Sequence, residues 1–170
     1  MAAELMARME RDQEARRRLE QRPAEPAGWE LVQAVDAENT AWLEAVVDRQ
    51  GWPTRARVGD EATQAAWLLA QHADHDLGFQ RQCRTLLAEA VRRGEADPKH
   101  LAYLTDRVLC AEGQPQRYGT QFWHGRDGTG QLQPQPIEDP EHLDERRLAA
   151  GLTPFAEYAQ IMRRHHSADG

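Results

Sequence analysis

The sequence contains little of what marks a secreted or membrane protein. It has two cysteines, Cys83 and Cys110, which are widely spaced within helical patterns. This predicts reduced thiols rather than a disulfide framework. No apolar run approaches the roughly 20 residues that cross a bilayer, and Met1–Glu20 lacks the apolar segment of a secretory signal. The sequence therefore predicts a cytoplasmic protein without a membrane partner.

Lysine and net positive charge are also scarce. Lys99 is the single lysine, and 28 acidic against 21 basic residues give a formal net charge of −7. Because proteins that bind the phosphate backbone carry a basic face, we expect no nucleic-acid partner. The use of arginine in place of lysine, together with many alanines, indicates a GC-rich bacterial genome.

Familiar catalytic motifs are missing as well. The sequence has no nucleophile-elbow pattern, no Rossmann glycine pattern, and no cysteine beside a histidine. The 170 residues are 40% hydrophobic and 29% charged, an ordinary composition for a globular chain with one core. No motif names a reaction, so any site must be inferred from polar residues in unexpected positions.

Start and stop signals predict a mainly α fold. We expect a compact helical bundle of about six to seven helices, with a short β-hairpin or extended arm near residues 116–137 around an Asp-Gly turn signal. Residues 1–27 are interpreted as an N-terminal surface or docking helix with a linker, and 28–170 as one helical domain. The predicted helices are Ala2–Gln21, Trp29–Gln50, Asp60–Ala73, a helix from Asp74 or Asp76 to Arg93, one after Asp97-Pro98 to Ala111, and two after Asp139-Pro140 and Thr153-Pro154.

The first unexpected feature is the pair Asp106 and Arg107. They are the only charges in the apolar stretch Leu101–Cys110, which should run through the core. Adjacent residues on a helix do not face each other, so each charge needs a partner from another segment. The pattern is equally compatible with a structural ion network and with a functional site that has these charges at its base.

The second unexpected feature surrounds His72. Leu68 and Leu69 lie three and four residues before it, so His72 falls on an apolar helix face. A histidine there is more often a hydrogen-bonded core residue than a functional one. Asp74 and Asp76 follow closely and are most simply helix caps. A metal shared by His72 and Asp76 is the less favoured alternative, and the prediction is no metal and no cofactor.

The third feature is the polar stretch from Gln116 to Gln121. Gln116, Tyr118 and Gln121 follow soon after the predicted helix that contains Asp106. Gly119 permits a close backbone approach or an unusual dihedral angle. If the stretch is a strand, residues 116, 118 and 120 share one face. An ordinary polar strand is the competing interpretation.

The same stretches resemble a known family. Gly51-Trp52-Pro53-Thr54, Gln71-His72-Ala73-Asp74, Leu104-Thr105-Asp106-Arg107-Val108, Gln116-Arg117-Tyr118-Gly119-Thr120-Gln121 and Gly151-Leu152 to Tyr158 are similar to an uncharacterised bacterial family, domain of unknown function 6624. The resemblance covers roughly 42–158 and leaves the N-terminal helix outside. It supports the fold class and implies no reaction.

These features lead to a functional hypothesis. The sequence predicts a small cofactor-independent bacterial enzyme that uses general acid–base chemistry on a small polar or peptide-like substrate, with biosynthesis as a setting and a homodimer left open. The predicted catalytic residues are His72 as proton carrier, Asp106 to orient it or to hold positive charge, Arg107 to clamp a substrate carboxylate or stabilise developing negative charge, and Tyr118. Gln116, Gln121, Asp74 and Arg146, with Arg147 as the alternative to Arg146, are predicted to bind substrate. The alternatives are a non-catalytic ligand-binding or accessory protein, and a purely structural network.

Overall fold

The mainly α prediction is confirmed. The computed structural model describes residues 1–23, 25–124 and 132–168, and is 72% helical. Within those residues it has eight α-helices and one antiparallel strand pair. The elements are α1 (Ala2–Gln21), α2 (Pro26–Gln50), α3 (Arg55–Val58), α4 (Asp60–Gln71), α5 (Leu77–Arg92), α6 (Pro98–Ala111), β1 (Phe122–His124), β2 (Leu132–Pro134), a 3₁₀ turn (Pro140–His142), α7 (Leu143–Ala149) and α8 (Phe155–Ala168). The helix absent from the sequence prediction is α3, a single turn within the connector at 51–59.

The chain divides into two units, residues 1–100 and 101–170. The boundary between them lies within α6. In the first unit α1 packs against both α2 and α4. The fully buried side chains of Leu5, Leu43 and Leu69 show that all three helices contribute to this core. Helix α1 therefore contributes to the core of the first unit.

Aspartate side chains fix the starts of two helices. Asp76 accepts a hydrogen bond from the backbone N–H of Phe79 at 2.9 Å and caps α5, so the structure selects Asp76 over Asp74. Asp97 accepts from the N–H of Lys99 at 2.8 Å before α6. Asp60, where the sequence predicted a helix to begin, is the first residue of α4. Helix α4 ends at Gln71, which leaves His72 at its C-terminal cap.

The second unit contains the hairpin that the sequence predicted. Phe122 pairs with Pro134 and His124 with Leu132, and Gln116 forms an isolated bridge with Ile137. The strands are shorter than expected because residues 118–121 are not extended strand. The Asp-Gly turn predicted at Asp127 lies outside the described residues.

Gly119 offers a test of the packing in this unit. Its φ is +67°, and an added Cβ would lie 2.8 Å from Cε2 of Phe155. We expect Gly119→Ala to lower the free energy of unfolding by about 1–3 kcal/mol more than Gly113→Ala. Gly113 is the matched control, because its φ is +72° and nothing lies within 4 Å of the position that an alanine methyl would occupy. Urea denaturation measures both, and equal losses would contradict the close contact.

Candidate functional site

The buried face of α1 carries charge. Leu5, Arg8, Asp12 and Ala15 are spaced three or four residues apart and are all buried. Asp12 is only 1% exposed, and Nη1 of Arg8 donates to Oδ1 of Asn39 on α2 at 3.2 Å. A carboxylate at this depth requires partners, because an unpaired buried charge is strongly destabilising.

The principal partner of Asp12 is His72. Its Nδ1 lies 2.8 Å from Oδ1 of Asp12, and the histidine side chain is 15% exposed. Burial opposes ionisation of Asp12, but the hydrogen bond and charge of His72, with help from Arg16 and Gln13, outweigh it and hold the pKa of Asp12 below its ordinary value. The sequence predicted Asp106 as the residue that orients His72; in the structure Asp12 makes that contact.

Arg16 and Asp36 complete this cluster. Nη2 of Arg16 lies 2.7 Å from Oδ1 of Asp36, and its Nε lies 3.2 Å from Nδ1 of His72 and 3.4 Å from Oδ2 of Asp12. Burial raises the pKa of Asp36, although the positive charge of Arg16 opposes the shift. The pKa values of the two carboxyl groups are thus displaced in opposite directions around one imidazole, a pattern found where acid and base roles are separated. We call Asp12, Arg16, Asp36 and His72 the α1–α4 cluster.

Only one of the two contacts at Nδ1 of His72 can be a hydrogen bond. Arg16 Nε–H is always a donor, and a protonated Nδ1 would donate to Asp12, so a single nitrogen cannot satisfy both. The shorter distance and the carboxylate charge favour donation from Nδ1 to Asp12. Nε2 then carries the free lone pair. None of the described residues hydrogen bonds to Nε2, and it is not among their fully buried polar atoms.

The same cluster has the composition of a metal site. Ligand atoms of Asp12, Asp36 and His72 all lie within 4.8 Å of one another. The metal pairing considered from sequence, His72 with Asp76, is replaced here because the Asp76 carboxylate caps α5.

Asp106, in the second unit, has a different environment. It is fully buried and accepts hydrogen bonds from the backbone N–H groups of Arg117, Tyr118 and Thr120 at 2.7–3.2 Å, and from the Thr120 hydroxyl at 2.9 Å. Burial raises the pKa of Asp106, and these hydrogen bonds oppose that rise. Asp106 thus does have partners from another segment, and they are backbone amides of one loop.

The loop at 116–121 is closed by its own glutamines. Gln116 is fully buried, accepts from the N–H of Gln121 at 2.8 Å, and donates to the carbonyl oxygens of Gln121 and Gln135 at 2.9 Å. Arg107 donates to Oε1 of Gln121 at 3.2 Å. The structure therefore brings Asp106, Arg107, Gln116, Tyr118 and Gln121 together, with Asp106 and Gln116 engaged in holding the loop.

The remaining predicted residues make structural contacts. Arg146 donates to the carbonyl oxygens of Arg117, Glu138 and Asp139. Asp74 accepts from Nε2 of the buried Gln80 at 3.1 Å. His72 and Asp74 belong to the first unit, and the other predicted site residues belong to the second.

Sequence reasoning missed Asp12, Arg16 and Asp36. The signal was present in α1, because Leu5, Arg8, Asp12 and Ala15 follow helical spacing and place two charges on a face with an apolar start. Apolar residues alone do not mark the buried face of α1, because Met6 and Met9 are less buried than Arg8 and Asp12.

Comparison with protein families extends the resemblance seen in the sequence. The model of the family of unknown function DUF6624 matches residues 1–168. The chain belongs to this family. The match includes the N-terminal helix that the sequence resemblance left outside, so Asp12 and Arg16 lie within the DUF6624 region. No curated protein and no solved structure matches the chain.

The helices also differ from membrane-spanning segments. None of those in the described ranges combines the length and apolar character required to cross a bilayer.

Proposed function

We propose that this protein is a small enzyme that uses general acid–base chemistry, with His72 as the proton carrier. The observation that supports this most directly is the 2.8 Å contact between Nδ1 of His72 and the buried Asp12, which leaves Nε2 without a partner among the described residues. An aspartate that accepts from one ring nitrogen fixes the tautomer and makes the other nitrogen available as a base. In this proposal Asp12 is a positioning residue.

The substrate class follows from Arg16. Its side chain is 28% exposed while its guanidinium contacts Asp36 and lies beside the imidazole, so part of the side chain remains accessible. A planar guanidinium binds carboxylate oxygens in pairs and stabilises developing negative charge. We therefore propose a small polar or peptide-like substrate with an anionic or carbonyl group near the reacting proton.

A cysteine nucleophile is disfavoured by the thiol environments. Cys83 and Cys110 are free, and burial raises the pKa of both, that of Cys110 to about 11. Neither thiol is a thiolate at neutral pH, and the thiolate is the nucleophilic form. This supports chemistry centred on the imidazole.

We further propose where the enzyme works and what kind of partner it has. The free cysteines support a cytoplasmic enzyme, and the arginine-rich composition supports a bacterial source. The net charge of −7 supports a small-molecule rather than a nucleic-acid partner. Biosynthesis is the proposed role, and a homodimer is compatible with it.

His72→Gln is the variant that tests the chemistry. Incubation of the purified protein with a bacterial small-metabolite extract, followed by mass spectrometry, should reveal compounds that the wild type consumes. We expect His72→Gln to slow their consumption by about 100- to 10,000-fold, the usual contribution of a positioned acid–base group. Its melting temperature should stay within a few degrees of wild type, because glutamine retains a donor for Asp12.

His142→Gln is the matched control for that experiment. His142 forms a second His–Asp contact, with Asp139 at 2.9 Å, but both side chains are more than half exposed. This control should retain full turnover. If wild type and His72→Gln leave the extract equally unchanged, the enzyme proposal is wrong, and binding of a metabolite without its consumption would favour the accessory alternative. Long-range ¹H–¹⁵N NMR adds an independent check, since a proton on Nε2 rather than Nδ1 would contradict the assigned tautomer.

A further inference from the structure

Three helices bring metal-ligating atoms to one point in the first unit. Asp12 comes from α1, Asp36 from α2, and His72 from the end of α4, with their ligand atoms within 4.8 Å of one another. We propose that the α1–α4 cluster is a binding site for one divalent transition-metal ion, held by Asp12, Asp36 and His72 after Arg16 swings away. The site goes beyond the proposed acid–base function, which requires no metal.

The charges in the cluster show why a cation fits there. Asp12 and Asp36 both face Arg16, whose Nη2 is 2.7 Å from Asp36 and whose Nε is 3.4 Å from Asp12. The side chain of Arg16 is 28% exposed, so it can move toward solvent, whereas Asp12 is 1% exposed and cannot. A divalent ion in that place supplies the positive charge that the buried carboxylate requires.

The contacts at His72 show how the ion would be accommodated. Nδ1 lies 2.8 Å from a carboxylate oxygen and 3.2 Å from the Nε–H of Arg16, and one nitrogen cannot hydrogen bond to both. A metal ion satisfies Nδ1 and the carboxylate oxygen simultaneously, because both present lone pairs to it. The departure of Arg16 removes the conflicting donor.

Unpartnered polar atoms occur on the same helices. Oγ1 of Thr40 is buried without a hydrogen-bond partner one turn after Asp36 on α2, and Oε1 of Gln71 is in the same state immediately before His72. Both residues are more than nine-tenths buried. Thr40 lies four residues after Asp36, so it shares the face of α2 that carries the carboxylate, and its Oγ1 can accept a hydrogen bond from water bound to a metal ion there.

The ligand set indicates the class of metal. One imidazole and two carboxylates suit Zn²⁺ and its neighbours in the first transition series, and three protein ligands leave one position open. Ligand atoms around tetrahedral zinc are about 3.3 Å apart. On binding, the 2.8 Å distance between Nδ1 of His72 and Oδ1 of Asp12 therefore increases by about half an ångström, and the longer distances between ligand atoms decrease. A metal on Nδ1 leaves the proton on Nε2. It follows, if the proposed function holds, that the metal-bound form has no acid–base activity.

Isothermal titration of the full chain with Zn²⁺, after removal of metal with a chelator, tests the site directly. We expect one site per chain whose affinity falls at least about 10- to 100-fold in Asp36→Asn and in His72→Gln. Both substitutions keep side-chain size and hydrogen-bonding capacity, and circular dichroism verifies their folding. Co²⁺ provides a second readout, since nitrogen and oxygen ligation in a tetrahedral site gives a visible absorption band.

Two further variants control the assignment. His142→Gln should bind Zn²⁺ as tightly as wild type, and Arg16→Gln should bind it at least as tightly because the resident cation is gone. Unchanged affinity in Asp36→Asn and His72→Gln, weaker affinity in Arg16→Gln, or no wild-type site would each overturn the inference. Since binding is measured without turnover, this result is separate from the fate of the proposed function, which is judged by the His72-dependent consumption of substrate.

Discussion

Asp106→Asn is expected to lower the free energy of unfolding of the second unit by about 3–5 kcal/mol. Asp106 is fully buried and its two oxygens accept from three backbone N–H groups and one hydroxyl. The substituted amide presents N–H₂ where one oxygen stood, so at least one buried donor faces another donor. Each buried donor without an acceptor costs about 1–3 kcal/mol, and loss of the charge weakens the remaining bonds.

Hydrogen exchange gives the most specific measurement of that change. The amide protons of Arg117, Tyr118 and Thr120 should be protected in the wild type and should exchange much faster in Asp106→Asn. The melting temperature should fall by roughly 10 °C. Asp139→Asn is the control, because Asp139 is half exposed and its φ of +44° suits asparagine, so its melting temperature should stay close to that of the wild type. Continued protection of the three amides in Asp106→Asn would exclude the loop-holding role.

The helical part of the fold could be predicted because the residues that start and end its helices act locally. Gly51, Gly94 and Gly113 adopt positive φ at or just after helix ends, and Asp97 caps α6 within two residues of its start. Such signals act over a few residues and can be read from the sequence. The single turn of α3 was missed because it has no apolar periodicity and follows Pro53 within a short connector.

The candidate site could be predicted only in part, because its contacts join distant residues. Burial of Asp106 in an apolar helix correctly indicated that it needs partners, but not that the partners are the amides of residues 117–120. His72 and Asp12 are separated by 60 positions, and only helix packing brings them together. Helical spacing in α1 places Asp12 on the same face as Leu5 and Ala15, but the sequence does not show which segment that face contacts.

The pair Arg146 and Arg147 shows a further limit of sequence patterns. Arg146 was predicted to reach a substrate, but it binds surface carbonyl groups, while Arg147 is 1% exposed. Helix α7 has only seven residues, too few for an apolar stripe to reveal which arginine faces inward. The orientation follows instead from the loop and rings against which α7 packs.

The contacts of Arg147 give the loop at 116–121 a second point of attachment. Asp106 accepts from amide groups of the loop, while Arg147 donates to the carbonyl oxygen of Tyr118 and the Tyr158 hydroxyl donates to that of Thr120 at 3.3 Å. Donors and acceptors of the same short segment are therefore satisfied by different elements. This arrangement makes the loop sensitive to loss of either attachment.

Arg147→Met is accordingly expected to lower the free energy of unfolding by about 3–5 kcal/mol. Methionine has a similar length but no donor, so the carbonyl groups of Thr153 and Tyr118 lose the bonds that Nε and Nη1 supply. The contact of the guanidinium with the Tyr158 ring, at 4.9 Å from the centroid, is lost as well. Urea denaturation followed by circular dichroism measures the change.

Arg147→Lys and Arg146→Met locate the origin of that loss. Lysine keeps the charge but lacks the planar fork, so Arg147→Lys should recover only part of the stability. Arg146→Met should cost about 1–2 kcal/mol, since its carbonyl partners lie near the surface, where water can replace the guanidinium. If Arg146→Met were the more damaging substitution, the second attachment of the loop would lie at the surface rather than at Arg147. Because Asp106 and Arg147 hold the same loop, the double variant should lose less stability than the sum of the two single losses.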